Sequence, residues 1–486
     1  MKTIILVRSL CEGLDPSDVL GVPGQGIQFL KRAIWPVLNA IGEPVGVGLD
    51  ADLRAICQNY REAGRPVVLC HFGLPLSQAV EPGCPCFYVF PWAFADLPPE
   101  AATWRAPLAR SEGVITFSQQ AADAIRTLMG NDFPVLVSAA QPWERFAALA
   151  PDEGLSISLA PRTLDFRGQL LDSPSIGLCV DGLARVEPPS SSPLTQEAPV
   201  AAAQPLAWRR RLAISRTLLR DWWNEAVVEL LRPRPTAAAM PAPPRQVPDG
   251  CLPAIEQKVR LHGVIFTCVL SAEDPSRNWT EMLTAFCWTF RDQPDATLVF
   301  KLTHSNLSSG RIAMLTNLSR LSPFQCRVVV INAHLEDTEY ARLVAASHYL
   351  VHPAQSEGSA LTVQEFMSAG RPVLAPRHSA LCEWIGDDHP FLIRSAEQPA
   401  YWVQDADKRL HLRDHRLDWT SMCEVFARAF AVAMENPQRY RQLSRAAREA
   451  ARERCDRTRL ADNWRQFLAP RRTDAQPVAL QVGAGS

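Results

Sequence analysis

Short apolar runs alternate with longer stretches of helical spacing along the first part of the chain. The runs predict strands at Thr3–Val7, Pro44–Gly48, Val67–Cys70, Cys86–Phe90, Gly113–Phe117 and Pro134–Val137. Helical spacing separates most of them, as over Ile27–Ile41 and Gln119–Met129. Strand–helix alternation predicts a parallel sheet with helices on both faces. Two further short strands are expected near Ile157–Leu159 and Ile176–Cys179.

The pattern resumes near Val259. Strands are expected at Val264–Val269, Ala296–Lys301, Arg327–Ile331, His348–His352 and Pro372–Ala375. Helices fit Trp279–Phe290, Asp337–Ala346, Leu361–Ala369, Trp419–Met434, Pro437–Arg452 and Arg457–Leu468, with a hairpin at Tyr401–Leu412. The chain therefore reads as α/β, with two Rossmann-like doubly wound domains facing a central cleft. The expected boundaries are an N-terminal Rossmann-like domain over 1–185, a Pro/Ser/Ala-rich linker over 186–257 and a C-terminal Rossmann-like domain over 258–455. A C-terminal helix over 456–470 and a flexible tail over 471–486 complete the chain.

The linker carries an island of helical spacing, 208–231, where Trp208, Leu212, Leu219, Trp223, Ala226 and Leu230 share a face flanked by arginines. Such a helix suits the inner face of a membrane, as a peripheral contact, and equally suits packing on the N-terminal domain.

Composition narrows the function. A chain of 486 residues is too long for one core. A net charge of −1 supplies no basic field for nucleic acid. The 13 cysteines are scattered without a CxxC pair, which reads as reduced thiols in a cytoplasmic protein. The first residues read as a buried strand rather than a signal peptide, and no run is apolar enough to span a bilayer. The sequons at Asn278 and Asn306 are read as chance.

Chemistry concentrates in His352-Pro353-Ala354-Gln355-Ser356-Glu357-Gly358-Ser359-Ala360-Leu361, which leaves an apolar strand and opens a helix. Small residues at a helix start let a backbone approach an anion. The amides of Gly358, Ser359, Ala360 and Leu361 would then point at phosphate oxygens. Glu357 faces the cleft just before them. Glu365 lies further along the helix, where its carboxylate could accept ribose hydroxyls. Gly370 is a good helix stop before the next strand. Gly26, in a short Gly24-Gln25-Gly26 loop at a helix start, could touch the donor phosphate. That loop is not GxGxxG, which argues against a nicotinamide cofactor. Phe90 and Trp92 are candidates for an aromatic acceptor platform, with core packing as the competing reading. Asp405-Ala406-Asp407 reads as a turn rather than a metal site.

The two glutamates in this strand–loop–helix setting, followed by Ala-Gly-Arg-Pro-Val, resemble the carboxylate signature of GT-B glycosyltransferases, family 4 in particular. The similarity runs over roughly Gly263–Asp388. It implies a retaining, metal-independent transfer of a sugar from a nucleotide-sugar donor, with no separate cofactor, to a glycan, lipid-linked or polysaccharide acceptor. By the same resemblance the N-terminal domain binds the acceptor and the C-terminal domain the nucleotide sugar, Glu357 lies beside the sugar ring and Glu365 binds the ribose. Arg277 and Lys301 neutralise the leaving diphosphate, and His71 contacts the donor sugar. Ser276, Ser359 and Ala360 depart from the family pattern. Two rival expectations follow: a catalytically silent GT-B protein that binds partners or sugars, and a GT-B sugar-nucleotide epimerase.

Overall fold

A computed structural model describes residues 2–9, 25–75, 83–149, 157–178, 255–272, 274–302, 308–402, 405 and 407–469. They belong to one compact unit. Gly24, Asn306, Ala406, the helix expected over 208–231, most of the linker and the tail 471–486 lie outside the described residues.

The first sheet is built from β1 (Ile4–Ser9), β2 (Glu43–Val47), β3 (Val67–Phe72), β4 (Cys86–Val89), β5 (Gly113–Thr116) and β6 (Val135–Val137). Its order is β2-β1-β3-β4-β5-β6, and every pair is parallel. Helices α1 (Gln25–Ile41), α2 (Leu53–Glu62), α3 (Arg105–Ala109) and α4 (Gln119–Met129) connect the strands, and a short α5 (Glu144–Ala147) follows. The strands read as continuous apolar runs because both faces are covered. Ile5 and Val7 pack under Leu30, Ile34 and Leu38 of α1, whereas Ile4 and Leu6 pack under Leu53 and Cys57 of α2. Side-chain caps start two of the helices: Asp52 accepts from the Ala55 amide and Ser118 from the Ala121 amide, both at 3.1 Å.

The second sheet contains β7 (Arg162–Asp172), β8 (Ile255–Leu261), β9 (Val264–Leu270), β10 (Ala296–Leu302), β11 (Arg327–Asn332), β12 (Tyr349–Val351), β13 (Val373–Pro376) and β14 (Leu392–Ile393). The order is β14-β13-β12-β9-β10-β11-β7-β8. Strands β9 to β14 are parallel, and β7 and β8 add an antiparallel edge. Its helices are α6 (Trp279–Thr289), α7 (Ser308–Leu321), α8 (Asp337–Ala346) and α9 (Leu361–Ser368). After the β15 (Ser395–Ala400) and β16 (Leu412–Leu417) hairpin come α10 (Trp419–Glu435), α11 (Pro437–Cys455) and α12 (Arg457–Leu468). A cluster of Phe266, Phe286, Phe290, Tyr349 and Phe426 fills the core between sheet and helices.

Three local expectations fail. No strand forms at 157–159 or 176–178; β7 lies between them and joins the second sheet, although it falls within the range expected for the first domain. Its Leu164 and Phe166 are buried while Asp165 and Arg167 point outward. This is the period-two pattern of a strand covered on one face rather than an apolar run. The hairpin strands flank Tyr401–Leu412 rather than occupying it.

The two sheets are tied together by side chains. Helix α12 buries Leu460, Trp464 and Leu468 in the core of the first sheet, and Trp464 Nε1 donates to Ser138 Oγ at 2.9 Å. The hairpin carries Ala400, Trp402 and Leu412 onto Phe90, Trp92 and Trp104. Arg413 grips Asp96 through two bonds of 2.8 and 2.9 Å. No described helix is long and apolar enough to cross a membrane.

Candidate functional site

Three loops leave the carboxyl ends of β9, β12 and β13, the side on which open α/β sheets bind ligands. Each contains a non-glycine residue at positive φ: Asn278 at 47°, Ala360 at 51° and Ser379 at 46°. Left-handed backbone at such residues costs free energy and persists where neighbours over-determine it. Here the loops are pinned to one another. The Gln355 amide donates to the Ser276 carbonyl at 2.7 Å, and the Glu357 amide to Ser379 Oγ at 3.0 Å. His378 stacks on His415 of the hairpin at 4.2 Å and reaches the Ala354 carbonyl at 3.0 Å.

Glu357 sits at the centre of these loops and is 7% exposed. Its Oε2 accepts from an Arg277 amino group at 2.7 Å and pairs with His352 Nε2 at 3.0 Å. Its Oε1 accepts from the amides of Ser359 and Ala360, both at 3.1 Å. Burial alone would raise the carboxyl. The Arg277 guanidinium, His352 and the Ser359 amide outweigh it and hold the group well below the usual carboxylate range. The group is therefore ionised, and since a carboxylate only accepts, His352 Nε2 carries the proton. Arg277 also donates Nε to Asp274 at 3.0 Å, and Asp274 accepts from Ser276 Oγ at 2.6 Å.

This geometry changes the expected anion cradle. Two of the four amides are taken by Glu357 itself, so the negative charge at the start of α9 belongs to the chain. Gly358 fits its position because a β-carbon there would lie 2.8 Å from Pro91 Cβ of the first domain. The same helix is tied across by Gln364, whose Oε1 accepts from the Ala140 amide at 2.8 Å. Leu361 packs against the first sheet's core, and Gly370, at φ 66°, ends the segment.

Glu365 and Lys301 form a second buried group. Glu365 Oε2 accepts from Tyr340 Oη at 2.6 Å. Burial raises its carboxyl to about 7, against partial relief from Tyr340, Arg145 and Lys301. Lys301 donates to the carbonyls of Ala333 at 2.8 Å and Leu302 at 3.1 Å, and burial lowers its ammonium to about 7. It is thus neither a solvated strand end nor a cation facing an open cleft.

In the first domain, His71 ends β3 beside Tyr88, with ring centroids 5.2 Å apart. Burial, then the nearby Arg8, lowers its imidazole to about 4. Gly26 is exposed in the first turn of α1, and nothing lies within 4 Å of where its β-carbon would be, so no close approach requires a glycine there. The aromatic platform is corrected. Trp92 is 3% exposed, packed on Phe94, Trp104 and the hairpin's Trp402. Asp405 caps its own turn by accepting from the amides of Asp407 and Arg409, both at 3.0 Å. The partners Asp274, Tyr340 and Ser379, and the Arg8–Tyr88 pair around His71, were not anticipated. Only the adjacency of Asp274 and Arg277 in sequence could have signalled one of them.

No protein-family model matches the chain, and no curated protein matches it in sequence. Solved structures do. A glycosyltransferase from Rickettsia africae superposes with a TM-score of 0.51 at 8% identity, covering 96% of this chain and 98% of that one. Sucrose-phosphate synthase from Thermosynechococcus elongatus gives 0.50 at 13% identity, covering 96% and 98%. The structure titled OtsA, in its apo form, gives 0.50 at 8% identity, covering 97% and 100%. The chain has the GT-B fold of two Rossmann-like domains. At these identities the likeness concerns the fold.

Proposed function

We propose that the protein is a glycosyltransferase that moves a sugar from a nucleotide-sugar donor to a glycan, lipid-linked or polysaccharide acceptor with retention. The observation that carries this reading is the buried, ionised Glu357, held by Arg277 and His352 at the start of α9. It lies in a fold shared with glycosyltransferases. Function on this fold must be argued from the site, and the site offers a fixed carboxylate, a fixed guanidinium and a helix N-terminus within one loop cluster.

The donor's diphosphate would meet Arg277 and the amides of Gly358 and Leu361. It would take over those of Ser359 and Ala360 as the Glu357 carboxylate turns toward the sugar ring. Positive charge comes from Arg277 and the helix end, without a metal. Glu365 would accept a ribose hydroxyl in place of Tyr340. His71 would approach the donor sugar from the first domain as a neutral imidazole. Packing of α9 against the first sheet excludes water from the reacting centre.

One observation favours a second reading, a catalytically silent GT-B protein. Arg277 already has two carboxylates, Glu357 already fills two amides, and Lys301 is bonded to backbone carbonyls. A panel of nucleotide sugars, assayed for donor turnover with wild type and Glu357→Ala, separates the two. Turnover that disappears in the variant supports the transferase. Donor binding without turnover in wild type supports the silent protein.

A further inference from the structure

The first sheet carries a polar row of which the donor reading uses only His71. Arg8 pairs in register with His71, and His71 with Tyr88, across the neighbouring strands β1, β3 and β4. Residues in parallel register project to the same face. One pleat back, the corresponding row is Leu6, Leu69 and Cys86, against the core formed with α2. The apolar face therefore turns polar at the carboxyl end of three adjacent strands, where such sheets bind ligands.

These three polar ends find few partners among the described residues. An Arg8 amino group donates to the Leu49 carbonyl, but Nε is buried without a partner. No carboxylate pairs with this guanidinium among the described residues, and burial, with only Tyr88 and Cys86 opposing it, lowers its pKa. A half-buried cation without a counter-ion costs free energy that an apolar residue would not. The His71 nitrogens and the Tyr88 hydroxyl have no hydrogen-bond partner among the described residues. Burial keeps Tyr88 protonated, its phenol pushed up to about 12, and keeps His71 neutral. Each therefore offers one hydrogen-bond donor, beside an acceptor, at neutral pH. Gly73 leaves the ring open: a β-carbon there would lie 3.7 Å from His71 Nε2, so a longer side chain would cover it.

We propose that Arg8, His71 and Tyr88 form a receptor for an oxyanion, a phosphate monoester or a carboxylate, carried by a small sugar ligand. One fixed cation flanked by two neutral groups that can each donate, with no carboxylate among them, suits that chemistry. The planar guanidinium supplies a bidentate contact. That the anion belongs to the acceptor rests on the transferase reading; that the site binds an anion does not.

Isothermal titration of the full chain, with no nucleotide sugar present, tests this using a hexose 6-phosphate, a hexuronate, inorganic phosphate and the neutral hexose. Saturable binding of at least one anion and none of the neutral hexose is expected. The tightest ligand identifies the source of the charge. Arg8→Met should weaken that ligand at least about tenfold, as expected for a charge-assisted bidentate contact, while raising the ligand-free Tm. Arg8→Lys keeps a charge but loses the fork, so a several-fold loss with it decides the matter should Arg8→Met fail to fold. No saturable anion binding, or equal affinity in wild type and both variants, overturns the proposal. Donor turnover is measured separately, so failure here leaves the transferase reading standing.

Discussion

The loops around Glu357 and the strand ends around Arg8 both place charge in a half-closed setting, yet they resolve it in opposite ways. At Glu357 every charge has a partner within the chain: Arg277, His352, Asp274 and two backbone amides close on one another. Among the described residues the Arg8 guanidinium has one carbonyl, and the neighbouring imidazole and phenol have no hydrogen bond. The first arrangement is rigid without a ligand and must open an internal contact to admit one. The second leaves Arg8 without a carboxylate among the described residues, and on our proposal a ligand would complete it. A buried charge thus marks a site in either region, but its local bookkeeping tells whether the chain or the ligand supplies the counter-charge.

The comparison is broken most directly by removing one charge from each region. Glu357→Ala leaves Arg277 with Asp274 as its remaining carboxylate and frees two amides. It should destabilise the protein by about 3 kcal/mol, read from denaturant midpoints. A loss below about 1 kcal/mol would mean the internal pairing is weak.

Glu365 sharpens the contrast, since burial there is not outweighed. Its carboxyl is raised from the ordinary 4.5 to about 7. A group raised on folding favours the folded chain fully below the unfolded value and loses that contribution as pH rises through the folded one. Glu365→Gln keeps an acceptor for Tyr340 and cannot ionise. It should match wild type below about pH 4 and exceed it by about 2 kcal/mol near pH 8. Superimposable Tm curves across that window would contradict the assignment.

Arg8→Met should have the opposite sign to Glu357→Ala, a gain of about 1 kcal/mol without ligand, because it removes a cation that lacks a counter-ion. A destabilisation would place an unrecognised anion beside Arg8. Smaller still is the effect expected at His71. Its pKa is depressed to about 4, so its contribution is full above the ordinary 6.5 and is lost as pH falls toward 4. His71→Asn should flatten that acid limb of the Tm profile by about 1–2 °C; an unchanged limb would mean the ring is solvated.

What could be read in the sequence was whatever lay contiguously in it. The six strands of the first sheet, the parallel core of the second and the strand–loop–helix around Glu357 each announce themselves as an apolar run followed by small residues. Edge elements did not. Strand β7 alternates, and the hairpin strands Ser395–Ala400 and Leu412–Leu417 are polar enough to read as loop, so the apolar Tyr401-Trp402 between them drew the expectation. Within the site, Glu357 was legible as a carboxylate at a helix start. Its occupation of the Ser359 and Ala360 amides depends on the left-handed turn at Ala360, which no composition rule favours for alanine. Arg8, His71 and Tyr88 come together only through strand register, and burial of Trp92 depends on a hairpin from the other domain.

The central claim, that the loops around Glu357 serve sugar transfer, is tested most directly by single-turnover release of nucleoside diphosphate across a donor panel, in wild type and Glu357→Gln. The account predicts that at least one donor is turned over with a glycosylated product, and that the variant, with shape kept and charge removed, loses at least about a hundredfold in rate. Equal rates in the two proteins, or no turnover of any donor by wild type, would contradict it.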